Sequence, residues 1–387
     1  MVLFYYDIVC PYAYMAFSFL YRNKVFEQNN VELRPILLGG LFKLMNKEVD
    51  PNQHMPPVKR DYIKTDIKRQ ADYFNVPLNF HERHPLSSLK AMRLIIQSPS
   101  HLRAQLSARL YQAYWQENLD IDEDELIIKI AQEFSLPFPD EEAKIKLKES
   151  TQEAYEKKIF GVPSFIVDGK IYFGADRIHL FQERLGLTLP DCPWKKNSQP
   201  INFYFDFASP YSYLAFKELA HSGVNFKAIP VLLGALFKNY EVSSIPMLSA
   251  HPNKIAYYYQ DMSDWARFRG AQFVFNDYFP LRSVTANRIA LLKPECIDAI
   301  FKAAWADNKN ITDEAILISV LSQSGFDGEN LVKRSSQDEI KALLRKNTND
   351  AIAKGVFGVP SFEINGNLVF GQDRFSWIRL QNEILNP

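Results

Sequence analysis

The sequence predicts an α/β fold built twice in tandem, and four motifs repeated in one order carry that expectation. The run FYYDIVCPYAYMAF from Phe4 returns as FYFDFASPYSYLAF from Phe203, and LLGGLF from Leu37 returns as LLGALF from Leu232. FGVPSF stands at both Phe160 and Phe357, and FGADR from Phe173 is matched by FGQDR from Phe370. Motifs repeated in one order mean that a whole domain is duplicated. Between the copies, residues 189–200 (LPDCPWKKNSQP) are rich in Pro and polar groups and lack an apolar period, as a linker does. The domains are therefore drawn at 1–188 and 201–387.

Each copy opens with a strand that runs into a helix, followed by a second strand at Val31 to Leu37 or Val224 to Leu232. That is a βαβ start. After FGVPSF come FIVDG-KIYFG and FEING-NLVFG, two short β patterns joined by Asp-Gly or Asn-Gly, which favour a tight hairpin, and then a last helix. Strand, helix, strand, then hairpin and helix is a thioredoxin arrangement. The stretches between the halves, about 44–155 and about 240–352, carry helix-period apolar positions such as Leu102, Leu106 and Leu110, or Ile297, Ile300 and Ala304. They read as all-α insertions.

Composition removes several functions. Lys plus Arg equals Asp plus Glu at 45 each, so no basic field exists to gather nucleic acid or an anionic membrane. No apolar run is long enough to span a bilayer, and Met1 to Asp7 already read as a strand with no leader, so a cytoplasmic location is expected. The three cysteines, Cys10, Cys192 and Cys296, form no CxxC pair and no zinc spacing. Asp120-Ile-Asp122-Glu-Asp124 lacks the glycine of a calcium loop, and His81 and His84 have Asn276 and Phe279 at the aligned positions, so no metal is expected.

The chemistry-bearing positions fall at the strand-to-helix junctions. In Asp206-Phe-Ala-Ser209-Pro210-Tyr211 the proline suits a first helical turn and Ser209 an N-cap. The same N-terminus can instead stabilise a thiolate through its free N–H groups, with the Ser209 hydroxyl adding a hydrogen bond. Cys10 holds that place in the first copy, with Ala13 where a CxxC partner would stand. It is a candidate thiolate or mixed-disulfide site, the alternative being a buried inert cysteine. Val162-Pro163 and Val359-Pro360, just before a strand, predict cis peptides whose loop faces the helix N-terminus and leaves the valine backbone free to pair with a thiol peptide. Asp176 and Asp373 suit helix N-caps or, alternatively, partners for the ammonium of a γ-glutamyl group.

The run DFASPYSYLA resembles the start of the 2-hydroxychromene-2-carboxylate isomerase and kappa-class glutathione transferase family, whose members have a DsbA-like thioredoxin fold. LLGGLFK and LLGALFK, the Lys-x-x-Tyr patterns at Lys59 and Lys254, Ala91-Met-Arg93, Trp115, GVPSF and FGxDR extend the likeness over almost the whole chain, twice. The resemblance implies glutathione held by Val162, Pro163 and Asp176 in one copy and Val359, Pro360 and Asp373 in the other, with Ser209 against its sulfur. It makes Asn52 a further glutathione contact and Lys59 and Lys254 substrate contacts. It implies an enzyme in which a glutathione thiolate adds to a small aromatic or conjugated acid, a bond rotates, and the thiol leaves again. A kappa-like transferase and a thiol-disulfide oxidoreductase using Cys10 are the alternatives, and a non-catalytic thiol-peptide binder is a third. Since family members are typically homodimers, the fused copies are expected to form an internal pseudo-dimer.

Overall fold

The protein is described by a computed structural model covering residues 1–28, 30–46, 55–189, 193–194, 199–242 and 245–384. Asn52 and most of the expected linker lie outside these residues. In the first copy the order is β1 (Val2–Tyr6), α1 (Pro11–Arg22), β2 (Val31–Pro35), α2 (Leu38–Leu44), α3 (Pro57–Tyr73), α4 (Leu89–Gln97), α5 (Ser100–Trp115), α6 (Asp124–Glu133), α7 (Glu141–Glu156), β3 (Ser164–Val167), β4 (Lys170–Phe173) and α8 (Ile178–Phe181). The second repeats it with β5 (Ile201–Phe205), α9 (Pro210–Ser222), β6 (Phe226–Pro230), α10 (Leu233–Asn239), α11 (Pro252–Phe268), α12 (Val284–Leu292), α13 (Ile297–Trp305), α14 (Glu314–Gln323), α15 (Gly328–Ser335), α16 (Asp338–Ala353), β7 (Ser361–Ile364), β8 (Asn367–Phe370) and α17 (Phe375–Ile384). Helix α15, capped by the Asp327 side chain on Asn330 N, has no counterpart among the described residues of the first copy.

Each copy holds one four-stranded mixed sheet, ordered β2-β1-β3-β4 and β6-β5-β7-β8. The first two strands pair in parallel, as a βαβ connection requires, and the hairpin adds two antiparallel strands. The hairpin turns are the ones the dipeptides favour: Asp168 and Gly169, and Asn365 and Gly366, all have positive φ. The thioredoxin arrangement with an all-α insertion is thus present twice. Alternate strand residues feed an aromatic core, with Phe4 stacked on Phe165 and Phe203 on Phe362.

The chain forms two compact units. One comprises Met1–Met55, Arg60–Pro190 and His251–Lys254; the other comprises Pro56–Lys59, Asp191–Ala250 and Ile255–Pro387.

Three long-range bonds in each copy fix the strand-to-helix junction and the start of the following helix, two of them from the insertion. Trp115 Nε1 donates to Ile8 O at 2.8 Å, and Trp305 Nε1 to Phe207 O at 2.8 Å. Helices α2 and α10 begin after a leucine that has no side chain to cap them. Remote side chains do that work: Asp7 Oδ2 accepts from Leu38 N at 2.8 Å and Asp206 Oδ2 from Leu233 N at 2.8 Å. Thr151 Oγ1 accepts from Leu37 N at 3.0 Å, and Thr348 Oγ1 from Leu232 N at 3.1 Å. Burial raises the Asp7 carboxyl above its ordinary value, with the Leu38 amide pulling the other way.

Candidate functional site

The strand-to-helix turn and the Val-Pro loop meet in both copies. Val162–Pro163 and Val359–Pro360 are cis, as the sequence leads one to expect, and so are His84–Pro85 and Phe279–Pro280. Cys10 Sγ donates to Val162 O at 3.2 Å, and Ser209 Oγ donates to Val359 O at 3.4 Å. The loops are held from behind in the same way twice: Ser164 Oγ to Gly161 O, and Ser361 Oγ to Gly358 O, each at 2.7 Å.

The two side chains at the helix start differ in state. Ser209 caps α9, its Oγ accepting from Ser212 N at 3.1 Å, while its proton points to the loop. Cys10 is 8% exposed, and burial pushes its thiol up to about 12, although the amides of Ala13 and Tyr12 act to lower it. A resting thiolate needs the opposite direction. In this state Cys10 is a protonated donor, and desolvation outweighs the helix end.

The FGxDR loops supply a carboxylate on the same scaffold. Gly174 N donates to Pro163 O and Gly371 N to Pro360 O, each at 3.0 Å, so this loop is bonded directly to the cis-Pro loop. Gly174 and Gly371 have φ of +109° and +106°, and a Cβ there would lie 2.5 Å from Asp176 Oδ1 or 2.7 Å from Asp373 Oδ1. Only glycine leaves the carboxylate its place. Asp176 pairs with Arg177 at 2.8 Å and Asp373 with Arg374 at 3.0 Å.

A thiol peptide such as glutathione fits this donor set. Val162 and Val359 are buried, 5% and 7% exposed, and among the described residues neither backbone N–H has an acceptor. A buried amide of that kind is completed by a ligand or by water. The N–H group suits an extended peptide, the helix start suits its sulfur, and the aspartate suits an ammonium.

Of the two lysines, Lys59 belongs to the unit of Pro56–Lys59, Asp191–Ala250 and Ile255–Pro387, and Lys254 to that of Met1–Met55, Arg60–Pro190 and His251–Lys254. Burial lowers the Lys254 pKa. Near each helix start stands a network that motif reading passed over: Tyr12 and Tyr62 donate to the buried Asp66 at 3.4 and 3.3 Å, and Tyr211 and Tyr257 to Asp261 at 3.2 and 2.9 Å. The repeated Tyr-x-x-x-Asp at Tyr62 and Tyr257 was the available signal. His84, set aside as a ligand, bonds Tyr114 at 2.7 Å. Among the described residues no helix is long and apolar enough to cross a membrane.

A family model described as a DSBA-like thioredoxin domain matches residues 1–186 and again 200–381. Glutathione S-transferase kappa 1 of Rattus norvegicus is 29% identical over 205 residues, covering 47% of this chain and 89% of the relative. The 2-hydroxychromene-2-carboxylate isomerase of Pseudomonas sp. (strain C18) is 24% identical over 195 residues, covering 47% and 89%. A solved 2-hydroxychromene-2-carboxylate isomerase aligns with a TM-score of 0.45 at 22% identity, over 48% of this chain and 96% of that one.

Proposed function

The chain belongs, in each of its halves, to the DSBA-like thioredoxin domain family, and from that premise we propose that it is a glutathione-dependent isomerase acting on a small aromatic or conjugated acid. The observation that carries the reading is the Ser209 hydroxyl, 3.4 Å from Val359 O and facing a loop whose amide has no acceptor among the described residues. The relative named as a glutathione S-transferase supports glutathione as the thiol, and the relative named as a 2-hydroxychromene-2-carboxylate isomerase supports an isomerisation of a conjugated acid.

When bound, glutathione supplies a nucleophilic thiol that can add to a conjugated acid and be eliminated. The protein's part is to bind it and to favour its ionised form. Ser209 Oγ already accepts from Ser212 N, which leaves its single proton to turn from Val359 O toward a sulfur. The N-terminus of α9 adds the positive end of its dipole. Val359 N–H pairs the peptide backbone, and Asp373 holds the ammonium. The first copy offers Val162 and Asp176 for the same tasks, with Cys10 at the sulfur position. Isomerase and transferase differ in whether the adduct leaves, a matter for the substrate pocket of the insertions. Two sites in one chain also suit the internal pseudo-dimer.

Calorimetric titration of glutathione into wild type, Ser209→Ala and Cys10→Ala tests the reading. Loss of a hydrogen bond to a charged sulfur is worth about 1.5–3 kcal/mol, so Ser209→Ala is expected to weaken thiolate binding about tenfold or more. No glutathione heat in wild type, together with no turnover of any enone acid, would sink it.

A further inference from the structure

Behind the FGQDR loop the second copy buries a charged cluster where the first copy, at the aligned positions, has Phe19 and Phe74. Arg269, just after α11, has a side chain 4% exposed and donates through Nε to Glu218 Oε2 at 3.2 Å. Its Nη2 donates to the Gln372 carbonyl at 2.7 Å, and its Nη1 to Gln372 Oε1. The guanidinium lies 4.7 Å from the Trp265 ring centroid and 5.5 Å from that of Phe375. Glu218, on α9, also accepts from Trp194 Nε1 at 3.0 Å and from Arg379. Burial works to raise the Glu218 pKa, but the Arg269 and Arg379 charges outweigh it and hold the carboxyl below its ordinary value.

Packing alone does not call for such a cluster. Taking both charges out of water costs several kcal/mol each, and apolar side chains of similar volume often do as well. The first copy shows the substitution: Phe19 and Phe74, at the aligned positions, meet edge to face at 5.6 Å between centroids. What the charges add is direction. Both of the Arg269 bonds that do not go to Glu218 go to Gln372, the residue before Asp373, and Gln372 is itself 2% exposed. The loop is gripped from inside through main chain and side chain together. Ala175 stands there in the first copy and has no side chain to grip.

We infer that Arg269 is a positioning residue of the second site: it fixes Gln372, and through it the direction in which Asp373 presents its carboxylate. This rests on the reading of Asp373 as the group that holds the ammonium of the thiol peptide. The second site is therefore the stiffer of the two.

The test transplants the first copy's residues into the second, as Glu218→Phe with Arg269→Phe and Gln372→Ala, beside Arg269→Lys, which keeps the charge and loses the fork. Hydrogen–deuterium exchange without ligand and glutathione calorimetry are read on both variants and wild type. The expected result is faster exchange over residues 371–375 with protection of residues 201–205 kept. One glutathione site weakens about tenfold, the loss of one charge-assisted hold, kcat at saturating glutathione stays unchanged, and Arg269→Lys falls between. Should the transplant fail to fold, Arg269→Lys carries the same expectations in reduced size. Unchanged exchange in a folded variant overturns the inference, as does faster exchange with unchanged glutathione affinity. Faster exchange in a protein whose wild type takes up no glutathione would sink the reading of Asp373 and uphold the hold of Arg269 on the loop.

Discussion

Beside the loop that carries Asp176 the first copy sets Phe19 against Phe74, and beside the loop that carries Asp373 the second sets Glu218 against Arg269. At the helix start the first copy has a thiol and the second a hydroxyl, each donating to a valine carbonyl. Several bonds around those groups are shared: the remote aspartate caps, the threonine caps, the tryptophan tie and the glycine under each FGxDR carboxylate. The comparison separates scaffold from chemistry within one chain. The scaffold bonds each join one polar side chain to a backbone group, whereas at the Glu218–Arg269 position an aromatic pair stands in the other copy.

Removing one partner of the ion pair breaks the comparison hardest. Glu218→Leu leaves the Arg269 charge, 4% exposed, without its carboxylate, and an uncompensated buried charge costs about 3–5 kcal/mol. Phe19→Leu in the first copy keeps most of the volume and is expected to cost about 1 kcal/mol. Native-state hydrogen exchange reads the two copies separately, through the amides of β5 and of β1. Equal losses in the two strands would mean that the Glu218–Arg269 pair is no more than packing.

The glycines of the FGxDR loops sharpen it from the other side, because there the copies are expected to respond alike. At φ of +109° and +106° an alanine is strained by about 1–3 kcal/mol, and its Cβ would sit 2.5 or 2.7 Å from the aspartate oxygen. Gly174→Ala and Gly371→Ala are each expected to remove one glutathione site from the stoichiometry measured by calorimetry. A variant that keeps both sites would separate the carboxylate from binding.

What the sequence shows of this design follows the range of the interactions. Duplication, the Asp168-Gly169 and Asn365-Gly366 turns and the two Val-Pro cis peptides are written in adjacent residues. The pairing of Asp176 with Arg177 and of Asp373 with Arg374 also joins adjacent residues. The Glu218–Arg269 pair joins residues 51 apart, and the repeat hides it, since comparison of the copies shows only two phenylalanines and two charges. The state of Cys10 is hidden for another reason. A helix N-terminus lowers a thiol pKa, burial raises it, and only coordinates say how deep the sulfur lies.

That last point gives the smallest effect at neutral pH and a clear sign above it. Burial pushes the Cys10 thiol up to about 12 in the folded protein, while an unfolded cysteine titrates near about 8.5. The fold thus prefers the protonated form, and the stabilisation it draws from this is complete below about pH 8.5. As the pH climbs toward about 12 the unfolded chain loses its proton first, and that stabilisation is lost. Wild type and Cys10→Ser are expected to unfold alike at neutral pH and to diverge above about pH 9, with wild type falling faster. Cys296, whose thiol burial raises to about 11, contributes equally to both proteins and cancels. Ser209 does not titrate, so the divergence belongs to the amides of β1 and leaves those of β5 alone. Alkylation at neutral pH is the companion measurement: slower labelling of Cys10 than of a free cysteine fits a buried thiol. Faster labelling would mean a thiolate, and would return the first copy to the disulfide chemistry that its buried, protonated sulfur argues against.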